Sequence, residues 1–393
     1  MCPERAPLSL AVEVPPWVTA GFALLAACGL SAFIVGINGA DPLRTWQAYL
    51  INFLFWTGLS FGQACFLAVL NLTGAKWAGK VRRLSGALAA YLPIGFLLFL
   101  VLYPGKSYLF PWIGHAPVEK KVWLNATFLF LRDGVGILLL TVLSMAMIYF
   151  SVSEMDAEKN HHRQMVLSTA VAVAYAFVMT LVGFDLVMSL DPHWYSSLFG
   201  GYFFIGSFYT GIGALYFVAL LAARSEPLEG GRAPLFHDLG KLTFAFCLFT
   251  GYLFYAQFLV IWYGNMPEET RYVILRVRLT PWEPLAWVVF GMTFVAPFFL
   301  LISKKAKLLR PLAAPVSLAV IIGMWLEKVI LVAPSLWKQK SIPLGMMEVL
   351  ITAGFLGVFG LTATTFLKRT SAFPLSDPHL AESEGHCETR IAP

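Results

Sequence analysis

Charge is what this chain has least of. Only 13% of its 393 residues are Asp, Glu, Lys or Arg, against about 25% in soluble domains, while 58% are hydrophobic. A water-soluble globule is thereby excluded. Metal-ligand spacing is lacking too: Cys2, Cys28, Cys65, Cys247 and Cys387 lie far apart with no CxxC pair, which argues against iron–sulfur ligation or a disulfide framework. Buried apolar thiols suit them better. His115, His161, His162, His193, His237, His379 and His386 all fall outside the long apolar runs, so no two are expected to clamp a haem inside a membrane. Any metal centre working beside this chain is expected on a neighbour. The net charge of +6 sits in loops, where topology accounts for it, and nucleic-acid binding is not expected.

What the chain does have is length without charge. Ten apolar runs span 17–38, 46–70, 84–103, 124–150, 165–190, 198–222, 241–263, 283–302, 315–333 and 346–367. Each has roughly 18 residues or more, enough helix at 1.5 Å per residue to cross a hydrocarbon core about 30 Å thick. Only helices or closed barrels satisfy their backbone there. The expectation is an all-α polytopic membrane protein: an integral-membrane domain over 1–369 and a flexible tail over 370–393, polar and mixed in charge. Arg5 is the one basic residue ahead of the first run, which is too long for a signal-peptide core and reads as a retained helix. If the amino terminus is cytoplasmic, the basic groups around Lys76 to Arg83, Lys304 to Arg310 and Lys368-Arg369 share its side and outnumber those around Arg44, Lys106, Lys120 and Arg271 to Arg278. Both termini are therefore expected in the cytoplasm.

An internal repeat is suggested by Asp41-Pro42, read as opening the second helix, with Thr57-Gly58 later in it, matched by Asp191-Pro192 opening the sixth with Thr210-Gly211 later in it. The loops 104–121 and 264–281 are also equally long. Two four-helix bundles, helices 2–5 and 6–9, flanked by helices 1 and 10, are the inferred arrangement. Asp-Pro is also an ordinary helix start, with Asp as cap and Pro in the first turn, so the match has a second explanation. Gly58 and Gly62 form a GxxxG pair, and Gly200, Gly201, Gly206, Gly211 and Gly213 crowd the sixth run. Small residues let helices approach closely, and packing is their expected role.

Ionisable groups inside a span are costly, about 2.5 kcal/mol or more each on insertion scales, so each needs a partner, water or a task. With the stated topology, Arg132, Asp133, Asp185, Glu327 and Lys328 fall in the outer halves of their helices, and Glu283 and Glu348 at outer helix starts. All seven are expected on one side. Sequence neighbours point about 100° apart, so Arg132 is not expected to neutralise Asp133, nor Lys328 to neutralise Glu327. Asp185 is the candidate counter-ion of Arg132, because consecutive antiparallel helices usually touch. The plain reading is a set of salt bridges holding the bundle. The functional reading is a polar cavity whose carboxylates, Asp133 and Glu327 foremost, exchange protons. Deeper in, Asn52, Gln63, Ser144, Ser168, Thr180 and Tyr255 could hold waters or make interhelical hydrogen bonds. In the loop after the fifth run, Asp191 and His193 read either as a helix cap and a wetted surface group or as the mouth of a site, since His titrates near neutral pH. Trp194 and Tyr195 suit the membrane interface.

The stretch GFDLVMSLDPHWYSSLFGGYFF (183–204), with IWYGNMPEET (261–270) and RLTPWEP (278–284), resembles the integral-membrane subunits of bacterial alternative complex III. These belong to the wider NrfD-like, or polysulfide-reductase membrane-anchor, group, and the likeness is greatest to the smaller, ActF-like kind. The resemblance implies an inner-membrane complex that oxidises quinol and passes electrons through iron–sulfur clusters and c-type haems held by partners. The implied partners are a sister NrfD-like membrane subunit, an iron–sulfur subunit, and multihaem and monohaem cytochrome subunits. It implies no prosthetic group on this chain. Asp133, Asp185 and Glu327, with Arg132 and Lys328, are the proton-pathway candidates. A competing reading places quinol near Asp185, Asp191, His193, Tyr195 and Glu283. An autonomous secondary transporter is a third reading, weakened because the charges gather toward one face instead of the midplane.

Overall fold

The computed structural model describes residues 14–75, 79–115, 117–152, 157–223, 233–339 and 341–370. Among them, ten helices are long and apolar enough to cross a membrane: span 1, Pro16–Ile37; span 2, Pro42–Leu72; span 3, Val81–Val101; span 4, Ala126–Ser151; span 5, His162–Leu190; span 6, Phe199–Ala222; span 7, Ala233–Gly264; span 8, Trp282–Leu300; span 9, Arg310–Leu336; and span 10, Met346–Arg369. The protein is an all-α polytopic membrane protein. Each expected run corresponds to one span. The tail residues from 371 onward, with His379, His386 and Cys387, lie outside the described residues, as do Cys2 and Arg5.

Span ends moved most where a helix outruns its apolar stretch. Span 7 starts at Ala233, ahead of the expected 241, and its 32 residues make about 48 Å of helix at 1.5 Å per residue. That is well beyond a hydrocarbon core. The extra turns carry His237 and Asp238, and Asp238 pairs at 2.6 Å with Lys241 at the expected start. His237 and His162 therefore lie within helices while remaining outside the apolar runs. Hydropathy marks the membrane boundary, whereas backbone hydrogen bonding carries the helix past it.

Two spans are not regular throughout. Span 3 is broken between helices ending at Ala89 and beginning at Leu92, with Pro93 in the second piece. Span 8 passes through a π turn at Gly291–Val295. The Tyr209 hydroxyl donates to the Thr293 carbonyl there at 2.9 Å, which re-satisfies backbone that the irregular turn leaves open.

Spans 2 and 6 form a common central wall. Their backbones meet where Gly58 and Gly62 face Ser207, and where Gly211 faces Leu59 and Gln63. A side chain at Gly62 would sit 2.6 Å from the Ser207 carbonyl oxygen, so only a missing Cβ permits this approach. Spans 5 and 9 each pack on both central helices; spans 3 and 4 complete one four-helix group, and spans 7 and 8 the other. Span 1 runs along span 10, with Gly29 against Gly354 and Gly357 against Ala26, and span 10 in turn lies on spans 2 and 3.

The Asp-Pro match does not extend to the helix starts. Pro42 opens span 2, but span 6 opens only at Phe199, because Asp191 follows the short 3-10 turn Met188–Leu190 and its carbonyl accepts from the Trp194 amide. Neither aspartate caps a helix with its side chain among the described residues.

Candidate functional site

The charged groups singled out above stand at the end of the bundle that carries the long connections 102–125 and 265–281. They are gathered in separate groups, not around one basin. In the first, Arg132 and Asp133 lie in the second turn of span 4, and Asp185 lies near the end of the antiparallel span 5. Arg132 reaches across with Nε and Nη2, each 2.5 Å from one Asp185 oxygen. This is the fork geometry that suits a guanidinium to a carboxylate. Trp123 completes the arrangement: its indole N–H donates to Asp185 Oδ1 at 3.0 Å, its carbonyl accepts from Arg132 Nη1 at 3.1 Å, and its ring lies 3.9 Å from the guanidinium carbon.

Asp133 is placed differently. It is 1% exposed, and neither of its oxygens has a hydrogen-bond partner among the described residues. The charged groups acting on it are Asp185 and Arg132. Arg132 is already engaged by Asp185, so a second anion here is uncompensated, whereas a protonated carboxyl needs only an acceptor. Asp185 is the neighbouring carboxylate on hand for that role.

The second group lies on span 9 where it faces span 6. Glu327 and Lys328 are both buried, and Lys328 Nζ donates to Glu327 Oε2 at 2.6 Å. This corrects the expectation that the two could not neutralise each other. Their Cβ atoms do diverge by about 100°, but both chains are long enough to curl over the same turn, and the apolar groove makes that contact preferable. The Phe203 ring lies 4.7 Å from the ammonium. Glu327 Oε1 has no partner among the described residues. Tyr202 of span 6 and Tyr272 of the connecting helix Pro267–Val277 both sense its charge.

That connecting helix closes the group from above. Tyr272 stacks on Trp194 with ring centres 3.6 Å apart and planes within 4°. One turn on, Arg276 donates to the Ile330 and Leu331 carbonyls at 3.0 Å each and to Ser335 Oγ at 2.7 Å, which ties the helix to the end of span 9. Burial disfavours the Arg276 charge, and the nearby ring of Tyr272 and the carboxylate of Asp191 favour it. The Tyr272 hydroxyl and the Trp194 indole N–H are unpaired among the described residues. Unmet donors and an unmet carboxylate oxygen thus share one enclosed neighbourhood.

The remaining candidates are dispersed. Asp191 is half-buried, His193 is exposed, and Glu283 is half-buried in the first turn of span 8. Trp194 and Tyr195, expected together at the interface, part company: Trp194 is 2% exposed and Tyr195 57%. Glu348 in the first turn of span 10 is engaged by Arg44 and by the Gly345 amide, the latter at 2.7 Å. Asn52, Gln63, Ser144 and Ser168 are buried as internal polar groups, with Asn52 donating to Thr352 at 3.0 Å and Ser85 donating to Gln63 Oε1 at 2.6 Å. Thr180 is half-buried, and Tyr255, 58% exposed, is turned out of the bundle, which corrects its place among the interior candidates.

Trp194, read only as an interface residue, and Trp123, Tyr202, Tyr272 and Arg276 are the residues whose place in the site sequence reasoning missed. For the last two a signal was present: they stand four apart in a short helix whose polar and apolar residues segregate. No family model matches this chain, and no curated protein does.

Proposed function

We propose that this chain is a membrane subunit of a quinol-oxidising complex of the alternative complex III type, contributing structure and proton translocation while its partners carry the redox centres. Membership of such an assembly rests on the likeness in 183–204 and 261–284. It brings the sister membrane subunit, the iron–sulfur subunit and the cytochromes as partners, and a bacterial inner membrane with both termini in the cytoplasm. The chemistry is supported by one observation: buried carboxylate oxygens stand without partners, both of Asp133 beside the Arg132–Asp185 pair and Oε1 of Glu327, whose Oε2 is held by Lys328.

A proton on Asp133 makes its hydroxyl a donor to Asp185 and leaves one guanidinium facing one carboxylate. Release of that proton sets two carboxylates against one guanidinium, an imbalance that favours recapture. Such a group takes up and returns a proton without holding net charge for long. Glu327 differs in having its cation on its own helix, so its protonation frees Lys328 instead of a neighbouring span. Direct quinol oxidation at Asp185 is less well supported, because both of its oxygens are engaged by Arg132 and Trp123.

The test is made on the intact assembly in sealed vesicles carrying Asp133→Asn or Glu327→Gln. Protons moved per electron should fall while quinol oxidation continues. An unchanged ratio in fully assembled variants would refute the reading, and loss of assembly alone would assign both groups to structure.

A further inference from the structure

A cleft opens between spans 2, 9 and 10, at the same end of the bundle as the acid clusters but apart from them. Arg44, Gln47 and Asn52 line it from span 2, Trp325 from span 9 and Glu348 from span 10, with apolar side chains between. It encloses about 260 Å³ of space, mouth included, and its closed part has room for a water-sized guest. The Arg44 side chain is about 30% exposed, so the mouth reaches the surface.

The polar side chains in this cleft are committed, with one exception. Arg44 and Glu348 hold each other, and Glu348 also accepts from the Gly345 amide. Asn52 donates to the Ala48 carbonyl and to Thr352, and accepts from the Trp325 indole at 3.1 Å. Gln47 is 1% exposed, and neither its amide nitrogen nor its amide oxygen has a partner among the described residues. A buried amide offers two donors and an acceptor, and native proteins satisfy such groups with protein or with ordered water. The missing partner must be small and must both donate and accept.

We propose that the cleft is a hydrated inlet, in which Gln47 holds ordered water that brings protons from the long-loop face toward the bundle interior. Asn52, at its floor, shares a helix face with Trp56, Ser60 and Gln63 at spacings of four, four and three residues. The Trp56 indole N–H and the Ser60 hydroxyl on that face are buried and unpaired among the described residues, and Gln63 is bonded onward to Gly211 and Ser85. Polar side chains therefore continue from the cleft floor inward along span 2. The inlet role rests on the proton-exchange reading above; the water site does not.

The experiment has two arms, both on the whole assembly. A map that resolves ordered water should show density within hydrogen-bonding distance of the Gln47 amide, absent in Gln47→Leu and kept in Gln47→Glu. A dry Gln47 in a map with water resolved elsewhere would overturn the site. In vesicles, Gln47→Leu should slow proton transfer several-fold with quinol oxidation intact when uncoupled, and Gln47→Glu should restore it. If Gln47→Leu loses the water and protons move at the native rate while Asp133→Asn impairs them, the inlet fails and the proton-exchange reading stands. If neither variant alters proton movement, the wider reading fails with it.

Discussion

The Asp133 and Glu327 clusters meet the same problem with different geometry. Around Asp133 the compensating cation comes from the same helix, but it is spent on a carboxylate of the next helix, and a tryptophan from the preceding turn holds it there. Around Glu327 the cation is the next residue, and the closing parts are aromatic side chains from span 6 and the connecting helix. The first cluster therefore fastens spans 4 and 5 together, and its ion pair cannot open without loosening that contact. The second lies within one helix, so its ion pair ties no two spans together. An ion pair between helices ties them together; one within a helix leaves its neighbours free of it.

Removing the cations should separate the two most sharply. Arg132→Met strands Asp185 and Asp133 together in a buried place, and breaking such a pair typically costs about 3–5 kcal/mol. Thermal unfolding of the purified complex should show it as a large loss of stability or of assembly. Lys328→Met leaves a single carboxyl, Glu327, with no second carboxylate crowded against it. A smaller loss, about 1–3 kcal/mol, with assembly retained, is the expected outcome; equal damage from both variants would erase the distinction. Trp194→Leu removes the stack on Tyr272, worth about 0.5–1.5 kcal/mol beyond area burial. Its signature should be faster proteolysis within 265–281. Tyr255→Phe, on the outward face, should change stability by less than about 0.5 kcal/mol and leave proton movement untouched; a clear effect would return Tyr255 to the interior polar set.

Legibility followed the range of the interaction. The ten spans could be read directly, because each is a local property of about twenty consecutive side chains. The pairing of Arg132 with Asp185 was within reach, since consecutive antiparallel helices touch and two opposite charges near the same end have few other partners. Lys328 with Glu327 was not, because the rule that adjacent residues diverge concerns Cβ directions, whereas these side chains are long and the surrounding groove offers no better contact. Asp191-Pro192 misled for a similar reason: the dipeptide favours a helix start, but burying Trp194 requires a turn first. Arg276 was read as a loop charge bearing on topology, and its bonds to two carbonyls and a serine hydroxyl of span 9 appear only once that helix ends beside it.

The order of residues alone determined that this protein is helical and crosses the membrane repeatedly, because a backbone in hydrocarbon must satisfy itself and these runs are long enough to do so. Which carboxylate oxygens lack a partner was decided by tertiary structure. A carboxylate's state depends on the few groups within hydrogen-bonding distance, and here those come from other helices, a distant tryptophan and an amphipathic connector. No stretch of sequence contains that neighbourhood; only the packed bundle assembles it.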